Sequence, residues 1–398
     1  MQAGTCVVGY NSIRFDDEFT RNLLYRNLYD PYEREYSNGN SRWDIIDLAR
    51  AYYAMRPKGL EWPVHETGNP SFKLEHLSKA NGIEHGEAHD ALSDVRATLG
   101  LARGLKQANP RLFEYGLKMR NKDFVASLID PRSRTPFVHT SARIPADRGC
   151  TSIMWPVCRH PVNPKAVLCI DVNKSVEDLL ALPAEQLADR LFTPARDLPE
   201  GVERISVKSV ASNKVPFVAP LNVLKLADLD RIRLDYDQCM SNAELLAADT
   251  GLAAKISRLF GPYQGDENPD PDLMIYSGSF FNQHDKRLMS KVHSTRPEEL
   301  SPDSFLFKDE RLTEMLFRFR ARNYPDTLNA DEAARWNDFR SHRLLAESGP
   351  GGITMTDYRA VLSQWREQPD LTARQTEILD QLEAWPIEIG IPGMISNT

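Results

Sequence analysis

Apolar and polar positions recur with two different periods along this chain, and the change of period divides it. Near the start, Cys6, Val7, Val8 and Gly9 form a short apolar run that reads as a buried strand opening into helical spacing. Residues 17–27 put Phe19, Leu23 and Leu24 on one helical face, and Asp30-Pro31 ends that helix. Residues 44–55 space Ile45, Leu48, Ala49 and Tyr52 for one inward face, and Pro57 stops them. A Gly/Pro loop over 58–70, a short helix over 74–80 and a turn at Asn81-Gly82 lead to the next periodic stretch. There, over 88–107, Ala91, Leu92, Val95, Leu99, Leu101, Ala102 and Leu105 fall at helical spacing and predict a buried stripe.

Asn109-Pro110 marks a boundary, followed by a helix over 110–120. From 137 to about 220 the runs are short, β-branched and aromatic: 137–140, 151–157, 166–172 and 205–210, separated by Pro, Asn and Gly turns, with one helix over 184–191. Beyond Asp228 the pattern is helical again, over 242–250, 252–260, 309–321, 331–345, 357–365 and 372–385, with a turn at Gly349-Pro350-Gly351-Gly352. The reading is an α/β domain over 1–109, a β domain with inserted helices over 110–264, and a helical domain over 265–398.

Length and composition fit this reading. A chain of 398 residues can form two or three cored domains. With 41% hydrophobic and 26% charged residues it falls in the ordinary globular range, and no apolar run approaches the length of a membrane span. No signal for export precedes Gly9. Five scattered cysteines without a C-x-x-C pair argue against zinc and disulfides and fit a reducing cytoplasm. The net charge of −7 leaves nucleic acid open as a partner, because phosphate contact requires positive charge only locally. Nothing in the pattern demands more than a monomer.

Chemistry enters with His89 and Asp94. Five residues on a helix turn through roughly 500°, so the two side chains lie within about 140° of each other and one turn apart, on one edge of a cleft. A carboxylate suits Mg²⁺, and a neighbouring histidine can take a proton from water at neutral pH. The same residues also serve commonly as helix caps or as a solvated face. Asp16, at the turn after the first strand, is a metal ligand or an N-cap on the same terms.

These residues sit in longer motifs. His89-x4-Asp94 resembles the last motif of the 3′→5′ exonucleases with an Asp-Glu-Asp-Asp-His active site, and Gly9–Asp16 (GYNSIRFD) resembles their middle motif. Within that superfamily the chain resembles the bacterial exodeoxyribonuclease I family through GYNSIRFDDEFTRN (9–22), YRNLYDPY (25–32) and NSRWDIIDLARAYYAMRP (40–57). The match continues through PSFKLEHLSKANGIEHGEAHDALSDVRAT (70–98), ANPRLFEY (108–115) and RARNYPDTL (320–328). The resemblance implies a ribonuclease H-like exonuclease domain, an SH3-like β-barrel and an α-helical C-terminal domain. It implies hydrolysis of single-stranded DNA to 5′-mononucleotides from the 3′ end, in DNA repair and recombination. Two Mg²⁺ ions would complete the site, with Mn²⁺ as the alternative, and the partners would be single-stranded DNA and single-stranded-DNA-binding protein. Asp16 and Asp94 would be metal ligands and His89 the general base. The family's first motif, Asp-x-Glu, is not found in residues 1–8. The expectation is therefore a shortened exonuclease domain, and the alternative function is a single-strand-binding chain of impaired catalysis. An open strand edge and an apolar face are expected in residues 1–110, with poor solubility or partial unfolding of that stretch as the consequence.

The resemblance also names residues for the strand. Arg21, Arg50, Arg56 and Lys73 are candidates for phosphates, and Tyr32, Tyr36 and Phe72 for stacking on bases, alongside His89. Lys73 stands where the family has Arg and Tyr36 where it has Trp, which weakens bidentate and stacking contacts. Lys122, Asn213 and Lys214 match the middle domain's contacts, and Arg320 and Arg322 those of the last. For the arginines, a solvated helix face or a helix C-terminus is an equal reading.

Overall fold

In the computed structural model, which describes residues 2–83, 91–261, 270–345 and 352–391, the first apolar run is strand β1 (Cys6–Gly9). It pairs in parallel with β2 (Ser41–Asp44), Cys6 opposite Ser41 and Gly9 opposite Asp44. The periodicity misses β2. The predicted 44–55 helix starts later, as α2 (Ile46–Met55), because Asp44 stays extended and clamps the turn after β1. Its carboxylate accepts the N–H groups of Asn11 (2.8 Å), Ile13 (3.2 Å) and Ile46 (3.0 Å). Burial pushes the Asp44 carboxyl above the usual range, and those three bonds oppose the shift. Ile45, Leu48, Ala49 and Tyr52 are buried, as their spacing predicts.

The chain divides into two units, residues 1–18 with 33–265 and residues 19–32 with 266–398, so that α1 (Asp16–Arg26) starts in the first and continues in the second. The first unit also carries α3 (Leu74–Ala80), α4 (Ala91–Ala108), α5 (Pro110–Leu117) and α6 (Lys122–Leu128). One prediction fails in part here. Leu101 and Leu105 of the predicted stripe are buried, but Leu92, Val95 and Leu99 are 55%, 55% and 49% exposed, and Ser93, Ala97 and Thr98 are buried in that half of α4 instead. Both sets recur at helical spacing, and α4 packs against both α3 and α5. Phe19 and Leu23 of α1 are exposed as well. The start of the predicted 88–107 helix and the 349–352 turn lie partly outside the described residues.

The rest of this unit is built on five antiparallel strands: β3 (Phe137–Thr140), β4 (Thr151–Arg159), β5 (Ala166–Asp171), β6 (Val207–Ala211) and β7 (Phe217–Pro220). Their order is β6-β5-β4-β3-β7. Around them lie α7 (Glu177–Ala181), α8 (Ala184–Phe192), α9 (Tyr236–Ala248) and α10 (Leu252–Leu259). The expected closed barrel is not found: among the described residues β6 and β7 share no ladder, since the chain turns through Ser212–Lys214 and β7 adds to β3. β7 itself was not predicted: it begins after Pro216 and ends on Pro220, which read as loop.

Gly149 closes the turn before β4 with φ +58°, and a Cβ there would stand 2.9 Å from Ile232 Cγ2 and 3.3 Å from Ala54 Cβ. Gly149→Ala is expected to cost about 1–3 kcal/mol through left-handed strain and overpacking, read as a lowered urea midpoint. An unchanged midpoint would show that the turn relaxes freely.

The second unit is helical: α11 (Gln283–Val292), α12 (Glu310–Asn323), α13 (Ala330–Leu345), α14 (Met355–Arg366) and α15 (Ala373–Glu388). Capping boxes Thr354/Asp357 and Thr372/Gln375 fix where α14 and α15 begin. Its core joins Tyr25 and Leu28 of the α1 segment to Met289, Val292, Phe305, Leu312, Leu316 and Phe319. Among the described residues no helix is long and apolar enough to cross a membrane. All five cysteines are unpaired.

Candidate nucleic-acid interface

At the start of α1 two adjacent carboxylates have different fates. Asp17 is buried and takes Arg34 (2.6 Å) and Arg42 (2.5 Å), so it is a structural anchor. Asp16, the first residue of the helix, stays exposed. Asp94 is half-buried in the first turn of α4. His89 lies outside the described residues. Among the described residues no group of three His, Cys, Asp or Glu side chains converges to hold a metal. Asp16 and Asp94 alone do not fit a two-ion cluster, which needs more oxygen ligands than two carboxylates supply.

Cationic side chains do converge. A cavity of about 540 Å³ in the first unit is lined by Arg14, Arg50, Arg143, Lys208 and Lys214, with Asp44, Asp47 and Glu18 among the acidic groups. Arg50 reaches it from α2, where it pairs with Asp47 (2.5 Å) and lies 5.6 Å over the Phe72 ring. Lys208 projects from β6, and its Nζ is buried without a hydrogen-bond partner. Burial pushes the Lys208 ammonium down to about 8; Arg143 and Arg14 act in the same direction and Asp47 against it. Beside it His139 donates from Nδ1 to the Phe217 carbonyl (2.9 Å). Burial, with Lys208 next, holds that imidazole neutral, well below its usual range. A second pocket, about 200 Å³, gathers Lys122, Arg159 and Lys165 with Asp123 and Asp130. A chain of net charge −7 thus concentrates its cations locally.

The other residues named from the sequence are spread over both units. In the first, Lys73 is exposed just before α3, and Tyr36, Asn213 and Lys214 are exposed. Phe72 packs edge-on to Tyr53 at 5.6 Å. Arg56 spends its guanidinium on the Met55 (2.5 Å) and Val223 (3.0 Å) carbonyls. In the second unit, Arg21 is buried, bonds Tyr276 Oη (3.4 Å) and lies 5.3 Å over the Tyr32 ring. Arg320 donates to the Leu300 carbonyl (2.8 Å) and pairs with Glu332; Arg322 binds Asp272 (3.0 Å) and the Arg26 carbonyl (3.1 Å). Both arginines are thereby engaged in holding the unit together. Sequence reasoning missed Lys208, Arg143, Arg14, Arg159 and Lys165. Periodicity does not mark them, because each pocket joins segments distant in sequence, from Asn11 to Pro216 in the first and from Lys122 to Ser212 in the second.

Comparison with known proteins defines the class. Family models match an exonuclease domain over residues 1–102, an "Exonuclease I SH3-like domain" over 120–262 and an "Exonuclease I C-terminal domain" over 269–389. The protein is a nuclease with an SH3-like and a C-terminal extension. Exodeoxyribonuclease I of Escherichia coli (strain K12) is 42% identical over 346 residues, covering 86% of this chain and 72% of the relative. That of Haemophilus influenzae is 36% identical over 390 residues, covering 98% and 81%. The chain therefore belongs to the exonuclease I family. The exonuclease I structure from Methylocaldum szegediense superimposes with a TM-score of 0.91 at 44% identity, over 98% of this chain and 81% of that one. E. coli exonuclease I in complex with a dA16 oligonucleotide also gives 0.91, at 38% identity and the same coverage.

Proposed function

We propose that this chain binds single-stranded DNA along its cation-lined cavities and shortens it from the 3′ end to 5′-mononucleotides, with a divalent cation, Mg²⁺ first and Mn²⁺ as the alternative. The observation that carries this reading is the Arg14/Arg50/Arg143/Lys208/Lys214 cavity, five cations around one space in an acidic chain of the exonuclease I family. Cations in a groove neutralise phosphates without reading sequence. Asp16 and Asp94 would be two of the ligands of a divalent ion that needs further oxygen ligands beside them, and the ion, when bound, would supply water activation. His89 would accept the proton from that water. Asn213, Lys214, Lys122, Lys73 and Arg50 would hold phosphates, and Tyr36 and Phe72 would stack on bases. A relative has been solved as an "SSB/Exonuclease I" complex; the acidic tail of single-stranded-DNA-binding protein is the corresponding partner proposed here.

A second reading has its own observation. Asp16 and Asp94 supply fewer oxygen ligands than a two-ion site takes up, which favours a chain that binds the strand without hydrolysing it. The experiment is incubation of the 398-residue chain with a 5′-labelled oligonucleotide and Mg²⁺, with EDTA as control, following both binding and length. EDTA-sensitive shortening from the 3′ end supports the nuclease; binding at constant length supports the second reading; no binding removes both.

Lys208 gives the binding reading a pH signature. Phosphate favours the charged ammonium, and in the free protein that charge is lost as pH rises through about 8. Affinity for single-stranded DNA is expected to fall by roughly three- to tenfold between pH 7 and 9.5. Lys208→Met should weaken binding at pH 7 and flatten this dependence. Stability runs the other way. The unfolded chain holds this proton up to about 10.5, so the fold gains stability as pH rises between the two values. A pH profile identical in parent and variant would remove Lys208 from the interface.

A further inference from the structure

We propose that Phe280 is a base-stacking residue, the outermost ring of an aromatic bay in the second unit; the inference rests on the single-strand-binding reading above. Phe280 is 82% exposed and Tyr276, on the same loop, 61% exposed. A phenylalanine has no polar handle, and at this exposure most of its ring is left in water.

The loop is built rather than loose. Arg311 donates to the carbonyls of Met274, Ser277 and Ser279, each at 2.8 Å, while binding Asp309 through Nε (2.9 Å) and Nη2 (2.7 Å). Gly278 turns the backbone at φ +89° against that guanidinium. The next residue, Phe281, points inward, stacked on Tyr25 at 5.9 Å and 8° and lying under Arg311 at 4.9 Å. One ring of the Phe280-Phe281 pair is thus an anchor and the other is presented.

The presented ring has a setting suited to nucleotides. It meets Tyr32 edge to face at 5.6 Å and 77°. Tyr32 in turn lies under the buried Arg21 guanidinium, which also reaches the Tyr276 hydroxyl. Aromatic faces bind any base by stacking, and the buried guanidinium behind Tyr32 holds that ring in place. Because Arg311 has already ordered the loop, binding loses little entropy there.

The test is equilibrium binding of a labelled (dT)13 strand in EDTA, by anisotropy, to the 398-residue chain and to Phe280→Ala, Phe280→Leu and Phe280→Trp. Phe280→Ala is expected to weaken binding about fivefold, Phe280→Leu to resemble it, and Phe280→Trp to restore or exceed parent affinity. On a strand of abasic sugar-phosphate units, parent and Phe280→Ala should bind alike. Equal (dT)13 affinity for parent and Phe280→Ala, or a loss of the same size on the abasic strand, overturns the inference while leaving single-strand binding intact. Absence of binding by the parent chain overturns both.

Discussion

Asp94→Asn is expected to abolish metal-dependent shortening of single-stranded DNA, by a factor of about 10³ or more, while changing binding in EDTA less than about twofold. Asn keeps the shape of the side chain and removes its negative charge, so the variant isolates charge. The competing account is structural. Asp94 sits in the first turn of α4, where a carboxylate stabilises the exposed N–H groups by about 0.3–1 kcal/mol. That account predicts a small drop in melting temperature and unchanged turnover. The chemical account predicts the reverse weighting. Asp16→Asn provides the comparison: Asp16 is exposed on α1, and its neighbour Asp17 already carries the arginine contacts. If both variants shorten the strand at parent rates, neither carboxylate takes part in hydrolysis and the strand-binding reading stands alone.

The parts of this protein that were legible in the sequence are those where one local rule acts without competition. Ile45, Leu48, Ala49 and Tyr52 fall on one face and are buried; capping residues and prolines set α5, α14 and α15 to within a few positions. What was not legible depends on partners distant in sequence. β2 was absorbed into the helix that follows because nothing local shows that Asp44 clamps Asn11 and Ile13. On α4, Leu101 and Leu105 of the predicted stripe are buried, but Leu92, Val95 and Leu99 are more apolar than Ala97 and Thr98, and hydrophobicity alone selects the wrong residues in that half of the helix. Motif matching named Asp16, Asp94 and Arg50 as candidates, and of these Arg50 lines the cationic cavity. It missed Lys208 and Arg143, which become neighbours only when β6 and the segment after β3 meet the residues following β1.

The exposed α4 face has a consequence for handling the protein. Leu92, Val95 and Leu99 lie in the same unit as Val7 and Val8, half-exposed on a β1 that has one strand partner among the described residues. Apolar exposure beside an open strand edge promotes association between chains. Sedimentation of the 398-residue chain should show self-association that Leu92→Gln with Val95→Thr and Leu99→Gln reduces. A monodisperse parent would count against it.

Arg148→Met is expected to destabilise the first unit by about 3–5 kcal/mol. Arg148, just before β4, is buried and binds both oxygens of Asp171 at the end of β5 (2.8 and 3.1 Å) together with Ser152 Oγ (2.6 Å). Ser152 also donates to Asp171, as does the Asn173 N–H (3.1 Å). This corner fixes the turn after β5, and the carbonyls of Val172 and Lys174 from that turn accept the Asn242 side chain of α9 (2.9 and 3.0 Å). Removing the guanidinium leaves a carboxylate buried with neutral donors only, and the cost of that isolated charge dominates the loss. Two further variants separate this from lost packing. Asp171→Asn in the Arg148→Met background should recover part of the stability, because the stranded charge disappears. Asp171→Asn alone should cost less than Arg148→Met, since Asn still accepts from Ser152 and the Asn173 N–H. Urea unfolding of the three variants measures the cycle. A cost below about 1 kcal/mol for Arg148→Met would mean that desolvation cancels the attraction, and that the β4–β5 corner is held by its strand pairing instead.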